Sequence, residues 1–175
     1  IGSKEGTTQV VIDQCYSSSA ISINNSAAAS AYFTGAGGLV GLIWREAGGT
    51  TSVTLSNRAA IGENALLSTP PGSAHSNKRI AGVARSDETD GFPTGTWAPN
   101  TLTLTNNIAR KGMLLGTPPS GTPDNSNSDT TGATADGKAV ETDALKTAAA
   151  WTALGWSETD WDFSGLPQGK WPTLK

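Results

Sequence analysis

The chain has little of what most folds use for cross-linking, charge or membrane insertion. Its 175 residues include one cysteine, Cys15, which excludes an internal disulfide. Charged residues make up 15% of the chain, the formal net charge is -3 and Lys and Arg are nowhere clustered, so we exclude a nucleic-acid-binding surface. Its apolar runs fall far short of the roughly 18 residues that a bilayer-spanning helix needs. We therefore predict one domain without a membrane span, and an N-terminus without a signal-peptide core.

What the chain has is an internal repeat. The stretch from Gly48, GGTTSVTLSN, resembles EGTTQVVIDQ from Glu5 and NTLTLTNN from Asn100. Alternate apolar positions, as in a strand with one buried face, fall into two columns, one of Val10, Val53 and Leu102 and one of Ile12, Leu55 and Leu104. A repeat spacing of about 40 to 50 residues indicates stacked units.

Two further repeats occur later in each unit. GGLVGLI at 37–43 matches KRIAGVA at 78–84, with Gly41 over Gly82, and LLSTPP from Leu66 matches LLGTPP from Leu114. Each unit is predicted to hold three strands: one like 50–57, one like 59–63 and one of the GLVG type. Repeated strands with turn residues between them predict an all-β fold, a right-handed parallel β-helix of about two to three coils.

This interpretation divides the chain into two parts. Residues 1–140 carry the repeats, with units near 5–47, 48–98 and 99–120 followed by a long surface loop at 117–140, and residues 141–175 form a helix and C-terminal cap. Because two and a half coils are close to the minimum for a stable stack, we expect further coils upstream. Gln14, Asn57 and Asn106 align after the apolar strand and are predicted to form a ladder of side-chain amides.

The last segment holds the one predicted helix. Thr142 or Asp143 can cap its start, Leu145, Ala149 and Thr152 share a stripe, and Gly155 can end it in the left-handed conformation. Four of the six tryptophans follow or belong to this helix, and we expect them to cover the open end of the stack: Trp151, Trp156, Trp161 and Trp171.

Residues with reactive side chains are few and do not form a recognisable catalytic set. His75 is predicted in a loop without a second ligand nearby, and Cys15 is predicted to be a small buried thiol at a strand end. Asp13 aligns with Ser56 and Thr105, so no column pairs two acids for glycoside hydrolysis. Two acidic clusters are predicted to be solvated turns: Asp87, Glu88 and Asp90, and Glu158, Asp160 and Asp162. The sequence does not decide whether either cluster binds calcium.

Two tryptophans outside the tail are the candidate ligand-binding residues. Trp44 and Trp97 each lie a few residues before the first strand of the next unit, so both are predicted at one edge of the stack. Flat aromatic side chains can stack on sugar rings and are enriched where proteins contact partners. No cofactor, metal site or catalytic residue is predicted.

The phrase QCYSSSAISI followed by GAGGLVG resembles the repeat of GLUG-motif proteins, with Gly38, Leu39, Val40 and Gly41 as its signature. The second unit reads Arg79-Ile80-Ala81-Gly82 instead, and the third lacks this strand. The closing segment, with Leu154-Gly155-Trp156, Trp161-Asp162-Phe163 and WPTLK, is similar to the ends of such surface proteins. The resemblance implies export to the bacterial surface and a role in adhesion, and it brings no catalytic residues.

The leading hypothesis is a non-catalytic adhesion or interaction module of an exported bacterial surface protein, with a glycan or a host or bacterial surface protein as partner. The alternative is the C-terminal fragment of a β-helix carbohydrate-active enzyme whose catalytic residues lie upstream. A third possibility is a structural cap and spacer that binds no ligand.

Overall fold

The computed structural model of the chain describes residues 6–24, 34–43, 49–68, 75–83, 99–116, 121–124 and 131–175. These residues are mostly strand, in largely parallel sheets, with little helix, and so the fold is β-rich as the sequence predicts. Within the same ranges no helix has the length and apolar character needed to cross a bilayer.

The strands fall into three successive units and a tail. The first unit contains β1 (Thr7–Asp13), β2 (Tyr16–Ser17), β3 (Ile21–Asn24), β4 (Thr34–Gly37) and β5 (Val40–Ile43). The second contains β6 (Thr50–Ser56), β7 (Ala59–Ala60), β8 (Asn64–Ser68), β9 (His75–Lys78) and β10 (Ala81–Val83). The third contains β11 (Thr101–Thr105), β12 (Ile108–Arg110) and β13 (Met113–Gly116). The remaining strands are β14 (Thr122–Asp124), β15 (Lys138–Val140), β16 (Trp161–Asp162) and β17 (Thr173–Leu174).

Each strand pairs with its counterpart in the neighbouring unit. The sheets have the orders β1-β6-β11, β2-β7-β12-β15 and β3-β8-β13-β14, together with the pairs β4-β9 and β5-β10. All these pairings are parallel except that of β13 with β14. The tail strands β16 and β17 form an antiparallel pair of their own.

The predicted columns of the first strand are confirmed. Val10 and Leu102 both lie opposite Val53, and Ile12 and Leu104 both lie opposite Leu55. Val53 and Leu55 are fully buried, and they form one core with apolar residues of the other sheets, among them Ile43, Ala60, Ala65, Ile80, Ala109 and Met113. The alternation of the sequence therefore reports the buried face correctly.

The predicted match of Leu66 with Leu114 is wrong by two residues, because Gly116 lies opposite Leu66 and Leu114 opposite Asn64. The bend between the second and third strands is one residue longer in the third unit than in the second. Asn64 comes four residues after Ala60, whereas its partner Leu114 comes five residues after Ala109, the partner of Ala60. A shift of two residues preserves the side-chain alternation of a strand, so the apolar pattern tolerates either alignment.

The prediction of three strands per unit is also wrong, because the described residues of the first and second units already form five strands in each. Tight bends divide the predicted strands. A Cβ atom at Gly62 would lie 2.1 Å from the Ser19 carbonyl oxygen, and one at Gly38 would lie 2.5 Å from the Arg79 carbonyl oxygen. The backbone N–H of Gly38 donates to that oxygen at 2.8 Å, so glycine allows the units to approach closely at this bend.

A polar ladder follows the first sheet, as predicted, although with a different end member. Asn57 and Asn106 both adopt left-handed backbone conformations, with φ of 54° and 51°, and Asn106 Nδ2 donates to Asn57 Oδ1 at 3.0 Å. Asn57 Nδ2 in turn donates to Asp13 Oδ1 at 2.9 Å, while Gln14 Nε2 donates to the Gly155 carbonyl oxygen at 3.3 Å. The prediction is therefore confirmed for the two asparagines and wrong for Gln14, whose longer side chain reaches the tail.

The segment 117–140, predicted as a surface loop, contains β14 and β15 in its described parts. The Ala135 carbonyl oxygen accepts from Ile80 N at 2.9 Å, and the Gly132 carbonyl oxygen accepts from Asn107 N at 3.0 Å. The segment thus satisfies backbone donors of the second and third units. Its Ser, Gly and Asp content suits tight turns and does not distinguish a packed turn from a free loop.

The predicted single helix is replaced by a 3-10 helix at Ala144–Lys146 and an α-helix, α1, at Ala148–Thr152. Asp143 lies at the N-cap of the first but makes no side-chain capping bond. The chain leaves the helical conformation at Thr147, which is extended, and this residue separates the two helices. Gly155 has φ of 79°, which confirms the predicted left-handed residue after the helix.

The tryptophan-rich tail packs on the side of the stack, whereas the sequence predicted that it would cover an open end. Trp151, Trp156 and Trp161 are buried against Ala59 of β7 and Ile108 of β12. The sheet β2-β7-β12-β15 is therefore buried on both faces, since Ala60 and Ala109 point into the interior core. Trp156 and Trp161 are stacked with ring centroids 4.1 Å apart, and Trp156 Nε1 donates to the Asn57 carbonyl oxygen at 2.8 Å.

Replacing Asn57 tests the ladder. Asn57→Ala loses two side-chain hydrogen bonds and leaves a Cβ-bearing residue in the left-handed region, so we expect the free energy of unfolding to fall by about 2–3 kcal/mol in urea titrations. The control Asn57→Gly loses the same bonds but adopts this backbone freely, and its loss should be smaller. An alanine variant as stable as the glycine variant would contradict this account.

Replacing Trp156 tests the side-on packing of the tail. Trp156→Ala removes a buried ring and the bond to Asn57, so we expect a loss of about 3–5 kcal/mol in the free energy of unfolding. Trp156→Phe keeps an aromatic ring without the N–H donor and should lose less. If the alanine variant retains wild-type stability, the tail does not contribute its packing energy to the fold.

Candidate functional site

The two predicted ligand-binding tryptophans, Trp44 and Trp97, lie outside the described residues, as does the acidic cluster at 87–90. Their roles stay predictions. His75 was predicted in a loop, and this prediction is wrong, because His75 is the first residue of β9 and lies opposite Thr34 of β4.

Within the described residues, the outside of the sheet β1-β6-β11 is a polar face. Its inward positions are the apolar columns, so the alternate positions face outward. Most of these carry hydroxyl groups and are exposed or half-buried: Thr7, Thr50, Ser52, Thr54, Ser56, Thr101, Thr103 and Thr105. We call this surface the hydroxyl face.

The hydroxyl face is regular in two directions. Ser52 lies between Gln9 and Thr101, and Thr54 lies between Val11 and Thr103. Neighbouring strands in a sheet lie about 4.8 Å apart, and outward residues recur about every 6.6 Å along a strand. Each hydroxyl can donate one hydrogen bond and accept others. This grid can therefore contact a partner whose polar groups also recur at short intervals.

One edge of the hydroxyl face is acidic. Asp13 Oδ1 accepts from Ser56 Oγ at 2.8 Å as well as from Asn57. Sequence reasoning used the apolar half of the alternation in TTSVTLS and TLTLT and overlooked the other half. The signal that identifies the face is the recurrence of Thr and Ser at every second position.

A shallow groove lies between the tail and the sheet β2-β7-β12-β15. Its volume is about 460 Å³, and most of its lining is apolar, including Ile108, Val140, Ala149, Ala150, Ala153 and Leu154. Lys138 and Glu141 also line it. The small side chains of Ala149 and Ala150 in α1 leave this space, while Trp151 of the same helix is buried in the tryptophan cluster.

The interior contains a second polar column, one residue beyond the ladder. Cys15, Arg58 and Asn107 occupy equivalent positions after Gln14, Asn57 and Asn106. Cys15 is half-buried, so the sequence prediction of a buried thiol holds only in part, since no described unit covers it on its outer side. Arg58 and Asn107 are fully buried, and Asn107 Nδ2 donates to the Leu55 carbonyl oxygen at 3.0 Å.

Burial lowers the pKa of Arg58 to about 10, because desolvation disfavours the charged guanidinium; the nearby Cys15 and Asp13 only partly oppose this effect. In the described part of the chain, none of the three guanidinium nitrogens has a protein acceptor in good hydrogen-bonding geometry, and the neighbouring Cys15 and Asp13 are the groups that interact with its charge. A buried charge without an acceptor lowers stability.

The tail carboxylates do not converge. Glu158 and Asp160 are exposed, and Asp162 Oδ1 accepts from the backbone N–H of Ser164 at 2.8 Å, a bond that lowers the pKa of Asp162. Across the described ranges, no group of three or more His, Cys, Asp and Glu side chains is placed to hold a metal ion.

Comparison of the chain with protein-family models, curated proteins and solved structures found no significant match.

Replacing Arg58 with an apolar residue of similar length tests the cost of its burial. We expect Arg58→Met to raise the free energy of unfolding at neutral pH by about 1–4 kcal/mol. Because the folded-state pKa lies below the unfolded value, the penalty is fully present below about pH 10 and is relieved above it, so the difference should shrink there. Arg110→Met, at a partly exposed arginine, is the control and should change little. A less stable Arg58→Met variant would contradict the assignment.

Proposed function

We propose that the chain is a segment of a right-handed parallel β-helix and serves as a non-catalytic adhesion module of an exported bacterial surface protein. The solenoid is supported by the order of pairing: strands β1 to β5 pair one by one with β6 to β10, and three of the latter pair with β11 to β13. Partners such as Val10 and Val53 are 43 residues apart, and Leu102 and Val53 are 49 apart, as expected of successive coils.

The resemblance of Gly38-Leu39-Val40-Gly41 to the GLUG motif supports the surface location and the adhesive role. The described contacts give this signature a physical basis, because Gly38 lies against the Arg79 carbonyl oxygen and Val40 is buried in the core beside Ala81. The motif therefore maintains the contact between units and leaves the outward surfaces free to vary.

Further coils upstream are part of the same proposal. In the described part of the chain, the strands of the first unit are paired on one side only. Val10 and Ile12 are half-buried, whereas their partners Val53 and Leu55 are fully buried. A further parallel unit on this side would complete the burial of the first column.

The hydroxyl face is the observation that carries the proposed function. A regular array of Ser and Thr with little charge suits a neutral, hydroxyl-rich partner, and polysaccharides present such groups at regular intervals. We therefore propose a glycan as the partner. Trp44 and Trp97 are proposed to add sugar stacking at an edge of the stack.

The test is binding of the purified chain to a glycan array and to insoluble polysaccharides. Thr54→Lys and Thr103→Lys place long charged side chains in the middle of the hydroxyl face, and we expect each to reduce binding at least tenfold, because a tenfold loss needs only about 1.4 kcal/mol. Thr159→Lys makes the same change at an exposed tail position and should bind as wild type.

Two results would overturn the proposal. If the three lysine variants bind equally well, the hydroxyl face is not the binding surface. Turnover of a polysaccharide by the wild-type chain, abolished by a single polar substitution, would show that the protein is an enzyme and would favour the alternative of a carbohydrate-active fragment.

A further inference from the structure

The hydroxyl face repeats in two directions, along its strands and across them. On β6 and β11, three pairs of hydroxyl residues lie opposite each other: Ser52 and Thr101, Thr54 and Thr103, and Ser56 and Thr105. The threonines of β11 are exposed, and their partners on β6 are half-buried because a strand flanks β6 on each side. A polysaccharide chain repeats along one line, whereas the surface of a crystal repeats in two directions, as this array does.

The spacings of the array resemble those of ordered water. Hydrogen-bonded water oxygens lie about 2.75 Å apart, so in the tetrahedral network of hexagonal ice second neighbours are about 4.5 Å apart and the stacked layers repeat every about 7.3 Å. Adjacent strands and alternate residues give spacings of about 4.8 Å and about 6.6 Å on the hydroxyl face. The differences, about 0.3 Å and about 0.7 Å, are smaller than the radius of a water molecule, about 1.4 Å.

The side chains of the face suit a neutral crystal. Threonine is branched at Cβ, so its hydroxyl and methyl groups occupy few positions on a strand, and Val11, the outward neighbour of Thr54 on β1, has the same branched shape. The outward positions of β6 and β11 carry no charged residue, which would hold hydration water of its own. Asp13, at the margin of the face, already accepts from Ser56 and Asn57.

The array is held in place by the core beneath it. Val53 and Leu55 alternate with the outward residues of β6 and are fully buried, and β6 pairs with both β1 and β11. A surface that is ordered before binding avoids the entropy cost of ordering during binding. Further coils upstream would extend the array without covering it, because a parallel unit adds its own outward positions beside β1.

We propose that the hydroxyl face binds ice, with the outward Ser and Thr side chains of β6 and β11 bonded to the outermost layer of crystalline water. Each hydroxyl can donate one hydrogen bond and accept others, as a water molecule in the crystal does. The threonine methyl groups add to the binding, because the crystal removes them from liquid water. The inference uses the same surface as the proposed glycan binding but does not rest on it, since crystalline water is a different ligand.

The test is partition of the purified chain into ice that is grown slowly from dilute solution. We expect wild type and the control Thr159→Lys to be enriched in the ice at least about tenfold over Thr54→Lys and Thr103→Lys, because a tenfold loss needs only about 1.4 kcal/mol. Wild type should also slow the coarsening of ice crystals in a frozen solution, and the two face variants should not. Melting curves check that each variant is folded, and Thr101→Lys, at the next exposed position of β11, replaces a variant that does not fold.

The outcomes separate this proposal from glycan binding. If wild type is excluded from ice as fully as the folded face variants, the ice proposal is wrong, even where the glycan array is positive. If all the variants are enriched as strongly as wild type, another surface holds the ice and the assignment to the hydroxyl face is wrong. Enrichment of wild type and Thr159→Lys alone supports the proposal, even where no glycan binds.

Discussion

The structure depends on parallel strands of successive units pairing residue for residue. Because side chains alternate between the two faces of a strand, a one-residue slip in β6 would move Val53 and Leu55 to the surface and bring Thr54 into the interior. Burial of the apolar columns makes this slip costly. The same register places the Ser and Thr side chains on the outward hydroxyl face, so one strand register determines both the core and the candidate binding surface.

The bend after the first sheet is the second repeated element. Gln14, Asn57 and Asn106 adopt left-handed conformations there, which asparagine tolerates better than most residues. Two of them bond to each other, and the following residue in each unit enters the interior. This geometry explains how Arg58 comes to be buried: its backbone position is dictated by the bend, and the units on either side remove its side chain from water.

The tail covers the outer face of the sheet β2-β7-β12-β15, which is therefore buried on both faces. Ala59 and Ile108 face the tryptophan cluster, while Ala60 and Ala109 face the interior core. The small side chain of Ala59 lets the bulky indoles of the tail approach the sheet, and the Trp156 N–H donates to the Asn57 carbonyl oxygen. The tail is thus joined to the ladder region, and Gln14 and Asn106 also donate to its carbonyl groups at Gly155 and Ala153.

The repeat and its columns could be predicted because they rest on local alternation recurring at a nearly constant spacing. The five strands that the described residues form in each of the first two units could not be predicted, because the tight bends at Gly38 and Gly62 arise from contacts with another unit. The two-residue error at Leu114 could not be detected from the sequence either, since a shift of two residues leaves the alternation of a strand unchanged.

The sequence by itself therefore determined the β-rich class, the first-strand columns and the asparagine ladder, because each depends on residue types at regular intervals. Only the tertiary structure decided that the tryptophans pack on a side face, that residues 131–140 join the units, and that Arg58 is buried beside Cys15. These arrangements join segments far apart in the chain, and no periodic pattern marks which distant surfaces will meet.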